Sequence, residues 1–564
     1  MRREDVGTSR PEGLRGGRSQ PKGRQVEPVA LAEVVALLGD RPRRRDLLIE
    51  HLHLIQDRYG SLGPGHLAAL ADVLRLSLAE VYEVATFYAH FDVVADGEPA
   101  PHPLTIRVCE SIACALEGAE ALHSALADRI GPGVRVVHAP CMGRCDRAPV
   151  AVVGNHPVDF ATPEAVAGAV AGGRVEPALP PPLRGFDDYV RGGGYGVLRE
   201  CREGKRPADG VIAAIEESGL RGLGGAGFRS GQKWRLVRQS PGPRLLAINA
   251  DEGEPGTFKD RHYLETDVHR FLEGMLIAEW VVEAEETYIY LRDEYPQIRE
   301  ILIREIGRLA SEGLIQASRI HLRRGAGAYI CGEETAMLES LEGKRGYPRQ
   351  KPPYPTQVGL FGRPTLIHNV ETVYWVRDVL ERGPGWLAGQ GRHGRQGLRS
   401  FSVSGRVREP GVKLAPAGIT VRELIDEYCG GIREGHALKG YLPGGASGGI
   451  LPASLADVPL DFGTLEPHGC FLGSAAVVVL SDRDDIRAVA LNLMRFFAEE
   501  SCGQCTPCRS GTEKAVQLME RSAWDTPLLV ELGTTMRDAS ICGLGQAAPN
   551  PLLCALRYFP EDLR

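Results

Sequence analysis

Gly219-Leu220-Arg221-Gly222-Leu223-Gly224-Gly225-Ala226-Gly227-Phe228 places five glycines in ten residues, directly before a predicted short helix holding Lys233 and Trp234. Glycines at that density let the backbone approach an anion, so that main-chain N–H groups and a helix N-terminus can cradle a phosphate. The loop lacks the Lys-Ser/Thr ending of a nucleotide-hydrolysing P-loop. Around it, the apolar strands Leu245–Ile248 and Thr287–Leu291 alternate with helix-period segments, the pattern of a mostly parallel sheet covered by helices. Two further glycine-bearing stretches, Asn249-Ala-Asp251-Glu252-Gly-Glu254-Pro-Gly and Gly325 to Thr335, set carboxylates just after apolar segments, the position of ligand loops at the carboxyl ends of strands. A solvated acidic loop is the plain alternative for each. Three such loops in one α/β region point instead to a dinucleotide or flavin pocket.

Outward from this centre, apolar residues recur at helical steps from Leu31 to about Val94, through Leu47, Leu48, Leu52, Leu54 and Ile55 and again through Leu67, Leu70 and Val73. Leu104–Val108, Val134–Val137 and Val150–Val153 are short β-branched runs of a thioredoxin-sized domain. The expected organisation is a disordered arm (1–30), a helical bundle (31–97), a small α/β domain (98–176), a Pro-rich linker (177–186), the α/β domain (187–395), a β-rich insert (396–481) and a helical region (482–564). The fold class is therefore multidomain α/β.

Thirteen cysteines mark the chain, and eight fall into two groups. Cys109-x4-Cys114 and Cys141-x3-Cys145 each follow a predicted strand, and two close pairs suit a two-iron cluster, with each pair on one iron. Buried cysteines or zinc are the alternatives, although zinc ribbons favour C-x2-C pairs. Cys502-x2-Cys505-x2-Cys508 with a remote Cys542 has the ligation pattern of a four-iron cubane, and Pro507 implies an irregular turn in that loop rather than an uninterrupted helix. Cys201, Cys331, Cys429, Cys470 and Cys554 are isolated and read as small buried hydrophobes. Clustered cysteines without a signal-peptide apolar core imply a cytoplasmic chain. A net charge of −7 gives no reason to expect nucleic acid, and the longest apolar run, Ala475–Leu480, is far short of a membrane span.

Gly222 to Trp234, Asn249 to Asp260, Ala328 to Thr335 and Glu500 to Arg509 closely resemble the NADH-binding flavoprotein of respiratory complex I and its relatives. Residues from about 40 to 175 resemble the small two-iron subunit that is a separate chain there, so this sequence is similar to a fusion of the two. The stretches Arg41–Gly60, Glu80–Val93 and Leu442–Ser454 look most like the β (diaphorase) subunit of molybdenum or tungsten NAD-dependent formate dehydrogenases. The rival is the fused diaphorase subunit of NAD-reducing hydrogenases.

The resemblance implies FMN on Gly222, Gly224, Gly225, Ala226 and Gly227, with Lys233, Asn249, Asp251, Asn369 and Thr372 as further contacts. It implies NAD(H) stacked over the flavin, with adenine near Phe228 and Tyr354, and Glu254, Tyr329 and Lys351 close by. Glu252 and Glu334 are the catalytic candidates, acting through binding and electrostatics rather than proton transfer. A [4Fe-4S] cluster falls to Cys502, Cys505, Cys508 and Cys542, and a [2Fe-2S] cluster to Cys109, Cys114, Cys141 and Cys145. The implied folds are a helical bundle with a thioredoxin-like ferredoxin domain, a Rossmann-like flavin domain, a β-grasp insert and a C-terminal iron-sulfur helical bundle. The implied partner is a formate-oxidising molybdenum or tungsten α subunit carrying further clusters. A non-catalytic electron-relay subunit is the reading from another class. Three positions depart from the family pattern: Leu223 replaces Arg, His368 replaces the first of two Asn, and Tyr354 replaces Phe.

Overall fold

A computed structural model describes residues 23–179 and 184–563. Most of the expected arm, residues 1–22, and residues 180–183 of the expected linker lie outside the described residues. The arm's last residues are not arm: a helix begins at Pro28, where the fixed φ of proline suits the first helical turn and its missing N–H costs nothing. Helices Pro28–Leu38, Leu48–Tyr59, Pro64–Leu74 and Leu78–Ala85 form the N-terminal bundle. Its last helix is opened by a reciprocal capping box, in which the Ser77 hydroxyl accepts the Glu80 N–H and the Glu80 carboxylate accepts the Ser77 N–H.

The thioredoxin-like domain is a four-stranded sheet ordered β2-β1-β3-β4, from Leu104–Cys109 (β1), Val134–Ala139 (β2), Ala151–Val153 (β3) and His156–Val158 (β4). β1 runs parallel to β2 and antiparallel to β3. Cys109 is therefore the last residue of a strand rather than a loop residue beyond it.

The flavin-type domain is a parallel sheet ordered β7-β6-β5-β8, from Arg244–Ala250 (β5), Ala284–Leu291 (β6), Ile320–Arg324 (β7) and Thr365–Asn369 (β8). β5 is central and buried on both faces, which explains its unbroken Leu-Leu-Ala-Ile run. Leu246 and Ile248 pack toward helix Val268–Val282, and Leu245 and Ala247 toward a core that also holds Leu48, Leu52 and Ile55 of the N-terminal bundle. One core thus spans the bundle and the flavin-type domain. Glu273, fully buried on helix Val268–Val282, ties two preceding helices down: it accepts the Tyr189 hydroxyl (2.5 Å) and the N–H groups of Tyr195 (2.8 Å) and Leu198 (3.2 Å).

The insert is a mixed sheet ordered β10-β9-β13-β11-β12, from Leu398–Gly405 (β9), Gly411–Pro416 (β10), Leu438–Leu442 (β11), Leu451–Pro452 (β12) and Ala476–Ser481 (β13). β13, Ala-Val-Val-Val-Leu-Ser, is buried at every position and runs parallel to β9. Helices Ile486–Glu499, Thr506–Met519, Thr526–Ala539, Gly543–Ala547 and Asn550–Tyr558 complete the chain. Pro507 opens the second of these, so Cys502 and Cys505 sit in the turn before it and Cys508 on its first turn. Among the described residues no helix is long and apolar enough to cross a membrane.

Candidate functional site

The carboxyl ends of β5 and β8 and the loops after β5 and β7 open on one cavity of about 470 Å³. That is within the range of pockets that hold cofactor-sized ligands. Gly222, Gly224, Gly225, Ala226, Phe228, Lys233, Asn249, Asp251, Glu252, Glu254, Tyr329, Glu334, Lys351 and Asn369 all line it. Of the other sequence-assigned contacts, Gly227 backs the loop from outside the lining. Thr372 is 1% exposed, and its hydroxyl accepts the Leu223 N–H (2.9 Å), holding the loop rather than reaching the cavity. Tyr354, 54% exposed, stands outside the wall.

The glycine-rich loop needs its glycines. Gly225 and Gly227 have φ of +131° and +65°, and a Cβ at Gly224 would stand 2.9 Å from that of Asn369. The loop closes through Gly222 N–H to Phe228 carbonyl (2.8 Å) and leads into helix Ser230–Gln239, which delivers Lys233 to the wall.

Lys233 and Lys351 bracket Glu334 at 3.3 and 2.7 Å, and Lys351 also meets Glu333 at 3.1 Å. Burial opposes ionisation of Glu334, but the two ammoniums hold its carboxyl below the usual range. Asp251 is different: burial pushes its carboxyl well above the carboxylate range against the pull of Arg292, and its Oδ2 is buried without a partner. A buried, orphaned carboxyl whose neutral form burial favours fits a hydroxyl-rich ligand such as a ribityl chain. The glycine loop with Lys233 fits a phosphate.

Glu252, a catalytic candidate by sequence, is turned into the protein. It accepts the N–H groups of Asp260 (2.8 Å) and Arg261 (3.1 Å) at the start of helix Lys259–Thr266, and the Tyr295 hydroxyl (3.0 Å). Burial, reinforced by Asp260, pushes its carboxyl up to about 7. Glu254 accepts the N–H and hydroxyl of Ser447, both at 2.7 Å, and the Tyr329 hydroxyl. Asn249 bridges its own loop to the next, donating to the Gly332 carbonyl (2.9 Å). Asn369 donates to Asp260 (2.6 Å) and caps the following helix through the Glu371 N–H (3.0 Å). His368 accepts from Trp234 Nε1 at 2.5 Å. Burial, with Lys233 beside it, holds the imidazole well below its ordinary pKa, so it stays neutral.

Sequence reasoning missed part of the wall. Lys259 is buried and meets Asp260 (2.8 Å) and Glu371 (3.1 Å). Ser447, Phe471, Gly473 and Ser474 come from the insert, and Gly543, Leu544 and Ala547 from the C-terminal helices. The run Gly444-Gly445-Ala446-Ser447-Gly448-Gly449 is the signal that could have found the first of these.

Each cysteine quartet connects to the cavity wall through neighbouring residues. Cys109, Cys114, Cys141 and Cys145 are all buried at 5% exposure or less, with Cys141 and Cys145 sulfurs 3.4 Å apart. Arg292 joins their loop to the cavity, donating to the Cys141 carbonyl (2.6 Å) and to the Glu252 carbonyl. Cys508 is buried, whereas Cys502, Cys505 and Cys542 are partly exposed. Glu500 accepts the Tyr329 N–H (2.9 Å), and Leu544 follows Cys542 into the wall, so the second quartet backs onto the same cavity. Four thiols converging at each place fit iron-sulfur ligation.

Residues 215–378 match the Nuo51 FMN-binding domain, residues 34–173 the thioredoxin-like [2Fe-2S] ferredoxin, and residues 488–564 the NADH-ubiquinone oxidoreductase-F iron-sulfur binding region. The chain is 41% identical over 389 residues to the second F-type subunit of the NADH-quinone oxidoreductase of Rhizobium meliloti, covering 66% of this chain and 92% of that one. It is 42% identical over 376 residues to the mitochondrial NADH-ubiquinone oxidoreductase 51 kDa subunit of Neurospora crassa, covering 63% and 76%. A chain in a crystal structure of an NAD+-reducing [NiFe]-hydrogenase in the H2-reduced state superposes with a TM-score of 0.80 at 31% identity, over 93% of this chain and 92% of that one. FMN, one [2Fe-2S] cluster and one [4Fe-4S] cluster are thus the cofactors of this chain.

Proposed function

Because the chain belongs to the family of 51 kDa flavoprotein subunits of NADH-quinone oxidoreductase, carried here in one polypeptide with a two-iron ferredoxin domain, we propose that it is the NAD-reactive subunit of a formate dehydrogenase. It takes electrons from formate oxidised on a molybdenum or tungsten partner subunit and delivers them to NAD+. The observation that carries the NAD-reactive part of this reading is a cavity, glycine-looped and ionic, linked through Arg292 to the loop of one cysteine quartet and through Glu500 and Leu544 to the other.

When bound, the flavin supplies the exchange between one-electron iron-sulfur chemistry and two-electron hydride chemistry with nicotinamide. The chain's own residues bind and orient. Backbone N–H groups of Gly224, Gly225 and Ala226 and the Lys233 ammonium would hold the flavin phosphate, and Asp251, whose neutral form burial favours, would donate to the polyol chain. Lys351, Glu333 and Glu334 form the charged wall that would face the dinucleotide, with Phe228 on the lining and exposed Tyr354 outside it offering rings to adenine. Glu252 acts as a positioning residue, fixing helix Lys259–Thr266 and with it Lys259 and Asp260. Cys502, Cys505 and Cys542, partly exposed, put the four-iron site where electrons can enter from a partner.

Formate as donor rests on the likeness of Arg41–Gly60, Glu80–Val93 and Leu442–Ser454 to formate dehydrogenase β subunits. The end-to-end superposition on a chain of an NAD+-reducing [NiFe]-hydrogenase favours a second reading, in which hydrogen is the donor. Purifying the native complex through this chain and assaying NAD+ reduction with formate and with hydrogen decides between them. Formate-dependent reduction supports the first reading, and hydrogen-dependent reduction replaces it with the second.

A further inference from the structure

Two cysteines outside both quartets, Cys470 and Cys554, meet where the insert packs on the C-terminal helices. Their sulfurs are 3.5 Å apart across 84 residues of sequence. Cys470 precedes β13 and Cys554 lies on helix Asn550–Tyr558; both are buried, at 1% and 3% exposure. Gly449 closes the space above them. Its φ is +84°, and a Cβ there would stand 2.6 Å from the Cys470 sulfur and 3.0 Å from that of Cys554. Either sulfur can donate in this contact, and the Cys554 S–H also reaches the Gly469 carbonyl (3.6 Å); the contact with Cys470, the Ile450 N–H and nearby Arg557 together shift the Cys554 thiol down from its ordinary value against its burial.

We propose that Cys470 and Cys554 are a modification site: a dithiol that hydrogen peroxide converts reversibly to a disulfide, tying the insert to the C-terminal cluster helices. The Cys554 sulfur attacks one peroxide oxygen, the O–O bond breaks, and the departing hydroxide leaves as water with the thiol proton. The Cys470 sulfur then attacks the resulting sulfenic acid, an S–S bond forms, and the second oxygen leaves as water with the second thiol proton. Two electrons and two protons pass from the thiols to the peroxide, which becomes two waters. Bond formation draws the sulfurs in by about 1.5 Å, to the ordinary S–S length. Burial restricts the oxidant to one of peroxide size, and a small thiol would restore the pair after local opening.

The strain has a route to the cavity. Ser447, two residues from Gly449, holds Glu254 through its N–H and hydroxyl, and Asn550, on the helix of Cys554, donates to the Ser447 carbonyl (3.0 Å). Resting on the reading of the cavity as a nucleotide pocket, the oxidised chain binds NADH about fivefold more weakly.

The test exposes the flavin- and cluster-loaded full chain to one equivalent of hydrogen peroxide. The chain is then alkylated in denaturant, digested and analysed by mass spectrometry, with the NADH KM measured in parallel. The expected result is a Cys470–Cys554 cross-link released by dithiothreitol, and a KM raised about fivefold and restored by the same reagent. Cys470→Ser should show neither change. Full alkylation of both cysteines after peroxide, or a cross-link to a different cysteine, would overturn the site. A cross-link with unchanged KM would overturn the route through Ser447. If the reduced chain does not oxidise NADH at all, the pocket reading fails and the cross-link still judges the dithiol.

Discussion

Replacing Lys351 by Ala removes the cation that joins the two carboxylates of the cavity wall. Its ammonium meets Glu334 at 2.7 Å and Glu333 at 3.1 Å, all three side chains being 19–30% exposed. Each such charge-assisted bond, discounted for solvent, contributes about 1 kcal/mol. Its loss leaves Glu333 without this ion pair and Glu334 with Lys233 alone, at 3.3 Å. The local charge of the group Lys233, Lys351, Glu333 and Glu334 falls by one, against a ligand whose pyrophosphate is itself anionic. One lost charge-assisted contact to that pyrophosphate, about 2 kcal/mol, corresponds to a rise in NADH KM of about 30-fold. The wall holds the ligand equally before and during hydride transfer, so kcat should stay within about threefold. Steady-state oxidation of NADH with ferricyanide reads both constants, and the KM effect should shrink as salt is raised. A kcat that collapses at unchanged KM would refute this, because it would place Lys351 in the chemical step.

Asp251→Asn keeps a hydrogen-bond donor and should hold FMN within about threefold of the native Kd, whereas Asp251→Ala should weaken it about tenfold, read by flavin fluorescence on titrating the apoprotein. Because the folded Asp251 carboxyl lies above its unfolded value, its contribution is present in acid and is lost as pH climbs through the raised pKa. Flavin retention should weaken as pH climbs through that raised pKa in the native chain and not in Asp251→Asn. Glu273→Ala strands the Tyr195 and Leu198 N–H groups and should cost about 4 kcal/mol in urea unfolding of this region. Cys508→Ala should abolish the four-iron electron paramagnetic signal while leaving the two-iron signal, since the quartets occupy separate domains; loss of both would contradict that separation.

What could be read from sequence was what local pattern carries. The cysteine spacings marked both quartets, and the apolar runs at Leu245–Ile248 and Thr287–Leu291 marked two strands of the parallel sheet. The glycine loop was legible because its composition encodes a backbone conformation. The far wall was not: Ser447, Phe471 and Leu544 reach the cavity only through packing of the insert and the C-terminal helices, more than 190 residues from Glu252, and no periodicity records that approach. Thr372 and Glu252 carry bonds that no local pattern shows. Both are polar groups beside ligand residues, but unpaired N–H groups of Leu223, Asp260 and Arg261 claim them first. Pro507 read as a loop-former, yet the same residue is tolerated in the first turn of a helix, where it stands.

On the reading proposed above, this chain exchanges electrons with nicotinamide while the primary donor is oxidised elsewhere. The most direct measurement takes the isolated full chain, loaded with FMN and both clusters, and supplies NADH with ferricyanide in one arm and formate with NAD+ in the other. Rapid NADH-dependent dye reduction and no formate-dependent NADH are the predicted results. Formate oxidation by the chain alone, or a fully loaded chain inert to NADH, would contradict that division of labour.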